Sequence, residues 1–142
     1  MVMLSWQMDV ELIMRVIIAF LLGAMIGFER ERHGISAGIR TYGAIALGSC
    51  VFGIISSNIL GADPSRISAQ IVTGIGFLGG GVIFRQGDYV SGLTTAATLW
   101  ATAAVGLAIS YGMYTISILT SILIYLLLYL PRLQWWKKIS RK

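Results

Sequence analysis

The stretch RISAQIVTGIGFLGGGVIFR, residues 66–85, decides how this chain is read. Between its two arginines lie about 18 uncharged residues, enough for a helix to cross a bilayer core. Among them are Gly74, Gly76, Gly79, Gly80 and Gly81. Glycine costs a helix in water about 1 kcal/mol relative to alanine, whereas in a membrane a bare backbone lets another helix approach closely. The stretch is therefore expected to be a helix with neighbouring helices pressed against its glycines. The same residues contain G-x-G-x-x-G at 74–79. A dinucleotide site needs that motif between a strand and a helix, with an acidic residue about 20 positions on. Neither condition is met, and no nucleotide cofactor is expected.

Of the 142 residues, 56% are hydrophobic and 12% charged, with a net charge of +5. Soluble domains carry about twice that charged fraction. The charges gather at 29–32, at Arg40, at 63–66, at 85–88 and from Arg132 onward. Between these points run apolar segments of membrane length. The expected fold class is all-α, a polytopic bundle of about five transmembrane helices. Residues 1–131 form its membrane domain, and 132–142 a basic cytoplasmic tail. The basic excess lies beside the spans, which points to lipid head groups rather than nucleic acid. The single cysteine, Cys50, lies mid-span and reads as a small packing residue.

The first span, residues 10–28, is flanked by acidic residues and by Glu29-Arg30-Glu31-Arg32, unlike a cleaved signal peptide. Arg15 lies near its end and can snorkel to the interface. Gly23 and Gly27 form a close-contact pair. The second span, 41–60, carries Ser49, Gly53 and Ser57 on one face. In the following turn, Asp63 or Ser65 is placed to cap the next helix. After the glycine-rich span and a short loop at 86–92, the fourth span covers 93–109. Thr94, Thr98, Thr102, Gly106 and Ser110 recur there every four residues, a stripe suited to facing another helix. The fifth span, 113–130, is bulky throughout and reads as lipid-facing. Pro131 closes it, and Trp135, Trp136 and several cations follow at the interface.

Arg30, Arg32, Arg40, Arg85, Arg132 and the tail cations fall on one side of a five-span topology; Arg66 and Arg15 fall on the other. The positive-inside rule then places the C-terminus in the cytoplasm and the N-terminus outside.

Charges near the membrane core are the candidates for function, because burying them is expensive. Glu29, Arg40 and Arg85 belong at one cytoplasmic level. They read either as interfacial anchors, with Glu29 paired to Arg40 or Arg85, or as a polar cluster at the inner mouth of a cavity. Asp63, Arg66 and Gln70 form an outer group, with Asn58 a candidate partner for Gln70. Trp100, mid-span, reads as a knob packed on the glycines. His33, the only histidine, reads as a solvated loop residue. No nucleophile with an activating base, metal-ligand cluster or cofactor motif can be assembled, so an enzyme is not expected.

The blocks GAMIGFERE (23–31), GIRTYGAIALG (38–48), RISAQIVTGIGFLGGGVIFRQG (66–87) and GLTTAATLWATAAVG (92–106) resemble the membrane domain of the MgtC/SapB family. The resemblance implies a multi-span inner-membrane protein linked to growth under magnesium limitation and, in pathogens, to survival inside host cells. Some members add a soluble C-terminal domain, where a basic tail is expected here. By resemblance, the residues carried across are Glu29, Arg30, Arg40, Thr41, Arg66, Gln70, Gly74, Gly76, Gly79, Gly81, Arg85, Thr94, Thr95 and Trp100. The first functional expectation is a regulator that touches other membrane proteins through its helices. It would form a homodimer and act on a larger complex such as ATP synthase or a transporter. The alternative is a carrier of magnesium or another small solute, against which stands the lack of a mid-span carboxylate.

Overall fold

A computed structural model describes residues 6–59, 63 and 65–132. It contains the helices α1 (Trp6–Glu31), α2 (Ile39–Asn58), α3 (Ser65–Gly81), α4 (Leu93–Ser110) and α5 (Tyr114–Tyr129). A two-stranded antiparallel hairpin, β1 (Phe84–Gln86) and β2 (Tyr89–Ser91), stands between α3 and α4. The segments Met8–Glu31, Ile39–Asn58 and Leu93–Ser110 are long and apolar enough to cross a membrane. The 17 residues of α3 and the 16 of α5 are shorter. The basic tail, with Trp135 and Trp136, falls outside the described residues.

Helix α4 is the hub, packing against α1, α2, α3 and α5. The buried positions of α2 (Tyr42, Gly43, Ala46, Ser49, Cys50, Gly53 and Ser56) recur at intervals of three and four, the spacing of one helix face. On α4, Thr98, Thr102, Gly106 and Ser110 are buried as the stripe predicts, whereas Thr94 is exposed. The threonine hydroxyls donate back into their own helix: Thr98 to the Thr94 carbonyl at 2.8 Å and Thr102 to that of Thr98 at 2.7 Å. This satisfies hydroxyls that would otherwise be costly in an apolar core. Cys50 lies in a cluster with Ala19 and Ile109. Helix α5 is not uniformly lipid-facing. Ser117, Ser121, Ile124 and Leu128 form a buried face on it.

Close helix approach occurs, but away from the glycine-rich run. A Cβ added at Gly23 would stand 2.5 Å from the Tyr42 carbonyl oxygen and 2.7 Å from Ala46 Cβ. One at Gly27 would stand 2.6 Å from the Gly38 oxygen, and one at Gly106 would fall on the Ala46 carbonyl. Helices α1, α2 and α4 are therefore in backbone contact through these glycines. On α3, by contrast, only Ile75 and Gly79 are buried. Gly79 faces Ala96, with 3.6 Å from an added Cβ to the Ala96 Cβ, while positions 74, 76, 80 and 81 meet nothing within 4 Å. The expectation that this chain's own helices press on the glycine run is overturned for all but Gly79.

Helix α3 also stops short of Arg85. Three consecutive glycines weaken its end, and Val82 and Ile83 donate to the Gly79 and Gly80 carbonyls in a tight last turn. The chain then turns back in the hairpin. Gly87, at φ 62°, takes the first turn position, where a glycine-requiring reversal is favoured. Gly92, at φ 87°, brings its backbone against the Val82 carbonyl, and no side chain would fit there.

A buried polar cluster between α1, α2 and α4

At the end of the bundle formed by the C-terminus of α1 and the N-termini of α2 and α4, polar side chains turn inward. Glu29 is only 2% exposed. His33, one turn on, donates from Nδ1 to the Glu29 carbonyl at 2.5 Å, and the same nitrogen lies 3.5 Å from Glu29 Oε1. His33 is thus bound to the cluster rather than simply solvated. Arg30 donates to Thr95 Oγ1 at 3.0 Å. The Tyr42 hydroxyl lies 2.6 Å from Thr98 Oγ1. The connecting loop is pinned as well: Glu31 Oε2 accepts the Ile39 amide at 2.9 Å and lies over Gly38, where a side chain would collide with it.

Burying charge at this depth is expensive unless it is compensated. The arginine at the C-terminus of α1 is favourably placed against the helix dipole. The cluster can therefore hold a charge, position a proton or anchor the helix ends. Among the described residues, no group of three or more His, Cys, Asp or Glu side chains is placed to hold a metal ion.

The sequence-selected residues divide. Glu29, Arg30 and Thr95 come together as one site. The expected pairing of Glu29 with Arg40 or Arg85 does not form: neither arginine makes an ion pair with it among the described residues. Arg40 and Thr41 instead line an open cavity of about 580 Å³ over the α1–α2 loop. Arg85 sits on the hairpin and donates to the Gly87 carbonyl at 3.0 Å, because α3 ended before reaching it. Trp100 is 52% exposed, so it is not a knob buried by the chain's own glycines.

At the opposite end, Asp63 caps α3 by accepting the Ser65 amide and hydroxyl, both at 2.8 Å. These two bonds hold its carboxyl below the usual range. Asn58 donates to the Ile54 carbonyl of its own helix and not to Gln70. Arg66 and Gln70 are exposed. Arg15 donates to the Ser110 carbonyl at 2.6 Å, capping the end of α4, and pairs with Glu11. Tyr42 is the member of the buried cluster that the sequence reading left out. Its signal was a phenol four residues from both Gly38 and Ala46, on the face that the small residues of α2 define.

The exterior of the bundle is apolar over most of its length, with Ile13, Leu21, Phe28, Phe52, Leu119 and Leu126 all exposed. A surface of this kind defines a helical membrane protein. The MgtC family model matches residues 16–134, and the chain belongs to the MgtC family. It is 43% identical over 130 residues to YhiD of Escherichia coli (strain K12), which bears a provisional name as a magnesium transporter; the match covers 85% of this chain and 60% of YhiD. It is 52% identical over 96 residues to Protein MgtC of Brucella abortus (strain 2308), covering 67% of this chain and 40% of that one. Protein SapB of Bacillus subtilis (strain 168) is 41% identical over 122 residues, covering 79% and 53%. The chain thus spans 40% to 60% of the length of these relatives. No solved structure matches it.

Proposed function

We propose that this chain is a multi-pass inner-membrane protein that regulates other membrane proteins by helix contact, in a physiology tied to magnesium limitation. On this reading it catalyses no reaction. All five helices embed in the bilayer, with α3 and α5 as short, assisted spans, the N-terminus outside and the C-terminus inside. The observation that carries the reading is the open outer face of α3. Gly76, Gly80 and Gly81 present bare backbone with nothing within 4 Å of an added Cβ, and Phe77 beside them is 85% exposed. In hydrocarbon, such a face lets a foreign helix approach closely, and the exposed ring offers an anchor. The occupants proposed are a second copy of the chain and a helix of a larger complex such as ATP synthase or a transporter.

A pull-down from detergent-solubilised membranes tests this. Gly76→Leu and Gly80→Leu are expected to abolish capture of partner and second copy, while unchanged capture sinks the reading. A second reading, carriage of magnesium or another small solute, is favoured by the buried carboxylate of Glu29 and by the name YhiD bears. Uptake into proteoliposomes that Glu29→Gln abolishes would put that reading first.

A further inference from the structure

Helices α2 and α3 leave an open trough between them of about 500 Å³, within the ~300–1,000 Å³ range of small-molecule sites. Its walls are apolar, with Phe52 on one side and Ile71 on the other. Its width comes from Gly48 on α2 and Gly74 on α3, each with nothing within 4 Å of an added Cβ. Toward the end of α2 and the start of α3 the trough continues into a second cavity of about 390 Å³, bordered by Asp63 and Arg66, with Gln70 lining both. Among the described residues the side chains of Arg66 and Gln70 have no hydrogen-bond partner. A guanidinium and an amide thus stand ready to donate at the mouth of an apolar channel, with a carboxylate beside them.

That arrangement is complementary to an amphiphile with a long apolar chain and a head of both signs. We infer that the trough seats one acyl chain of a phosphatidylethanolamine. Arg66 donates in a fork to the phosphate, Gln70 donates to an acyl ester carbonyl, and Asp63 faces the ammonium. The site stands apart from the proposed helix contact, which uses Gly76, Phe77 and Gly80 on the other side of α3.

Native mass spectrometry tests the assignment, with the full chain purified in mild detergent containing equal amounts of phosphatidylethanolamine and phosphatidylglycerol. The wild type is expected to retain one phosphatidylethanolamine per chain in preference to phosphatidylglycerol. Arg66→Gln should lower retention about tenfold, the equivalent of one charge-assisted hydrogen bond. Gly74→Leu, which fills the trough, should lower it as far, Gly74→Ala should lower it part of the way, and Gly76→Leu should not change it. Asp63→Asn should remove the preference between the two lipids. The graded Gly74 pair keeps the test from resting on a variant that fails to fold. Retention that neither Arg66→Gln nor Gly74→Leu alters overturns the inference. So does a wild-type preference for phosphatidylglycerol, or loss of a second copy of the chain rather than of lipid on Gly74→Leu.

Discussion

The Tyr42 hydroxyl and Thr98 Oγ1, 2.6 Å apart, form a hydrogen bond with a fixed direction. Thr98 has one hydroxyl proton, and it is directed at the Thr94 carbonyl, 2.8 Å away, with that of Thr95 at 3.1 Å. Tyr42 is therefore the donor to Thr98. With Arg30 on α1 donating to Thr95 on α4, these bonds tie together the three helices that also meet through their glycines.

This direction makes the two ends of the bond unequal. Tyr42→Phe removes a donor and leaves Thr98 bonded to its own helix, a loss of about 1 kcal/mol. Thr98→Val leaves the buried phenol proton without an acceptor and should cost about 2 kcal/mol, while Thr98→Ser should be close to neutral. Thermal unfolding in detergent micelles ranks the three. If Thr98→Val proves no worse than Tyr42→Phe, the assigned direction is wrong.

The glycines of α4 and α3 should respond oppositely to the same small change. At Gly106 an added methyl falls on the Ala46 carbonyl, which is backbone and cannot turn aside, so Gly106→Ala should destabilise by about 1–3 kcal/mol through overpacking. At Gly80 the space is open, and Gly80→Ala gains helix propensity of up to about 1 kcal/mol. Unfolding midpoints of the isolated protein in micelles check both. A destabilising Gly80→Ala in that setting would mean that α3 is covered even without a partner.

Asp63 brings a pH dependence whose sign follows from its bonds. Accepting from the Ser65 amide and hydroxyl depresses its folded-state value, below the unfolded carboxylate value of about 4. Its capping contribution is then fully present above that unfolded value and is lost as pH falls through the lower folded one. Amide exchange at the first turn of α3 should accelerate in that acid window. In Asp63→Asn, which caps without titrating, the acceleration should disappear; its persistence would assign the effect to another group.

What could be read from sequence and what could not divides on whether a pattern is local. The four-residue stripe on α4 and the Gly23–Gly27 pair were legible, because helical periodicity alone puts such residues on one face. Asp63 as a cap was legible for the same reason, since a cap acts within a few residues. Which helix fills a small-residue face is not a local property. The densest glycine run promised the closest packing, yet the tight seam formed from scattered glycines on α1, α2 and α4. The end of α3 was also misplaced, because an uncharged run measures the distance between charges and not the point where three glycines let the helix unwind. Pairing of Glu29 with arginines at the same depth was a statement about level. The rotation of α1 instead turned Arg30 toward Thr95 and left Arg40 facing the loop.

That rotation gives Arg30 a role that can be isolated. Glu29, the residue before it, is 2% exposed; if the Arg30 charge offsets that carboxylate, its loss is bounded by the about 3–5 kcal/mol that breaking a fully buried charge pair costs. Arg30 is only partly buried, so Arg30→Met should fall at or below the lower end of that range. Arg30→Lys, which keeps the charge but loses the planar fork, should cost less. If the penalty comes from the Glu29 charge, adding Glu29→Gln to Arg30→Met should recover part of the loss, because a neutral amide is less costly to bury. A double-mutant cycle in micelles reads this directly, since residues that share an electrostatic network depart from additivity. Strictly additive losses would show that Arg30 serves Thr95 alone and that Glu29 is held independently of it.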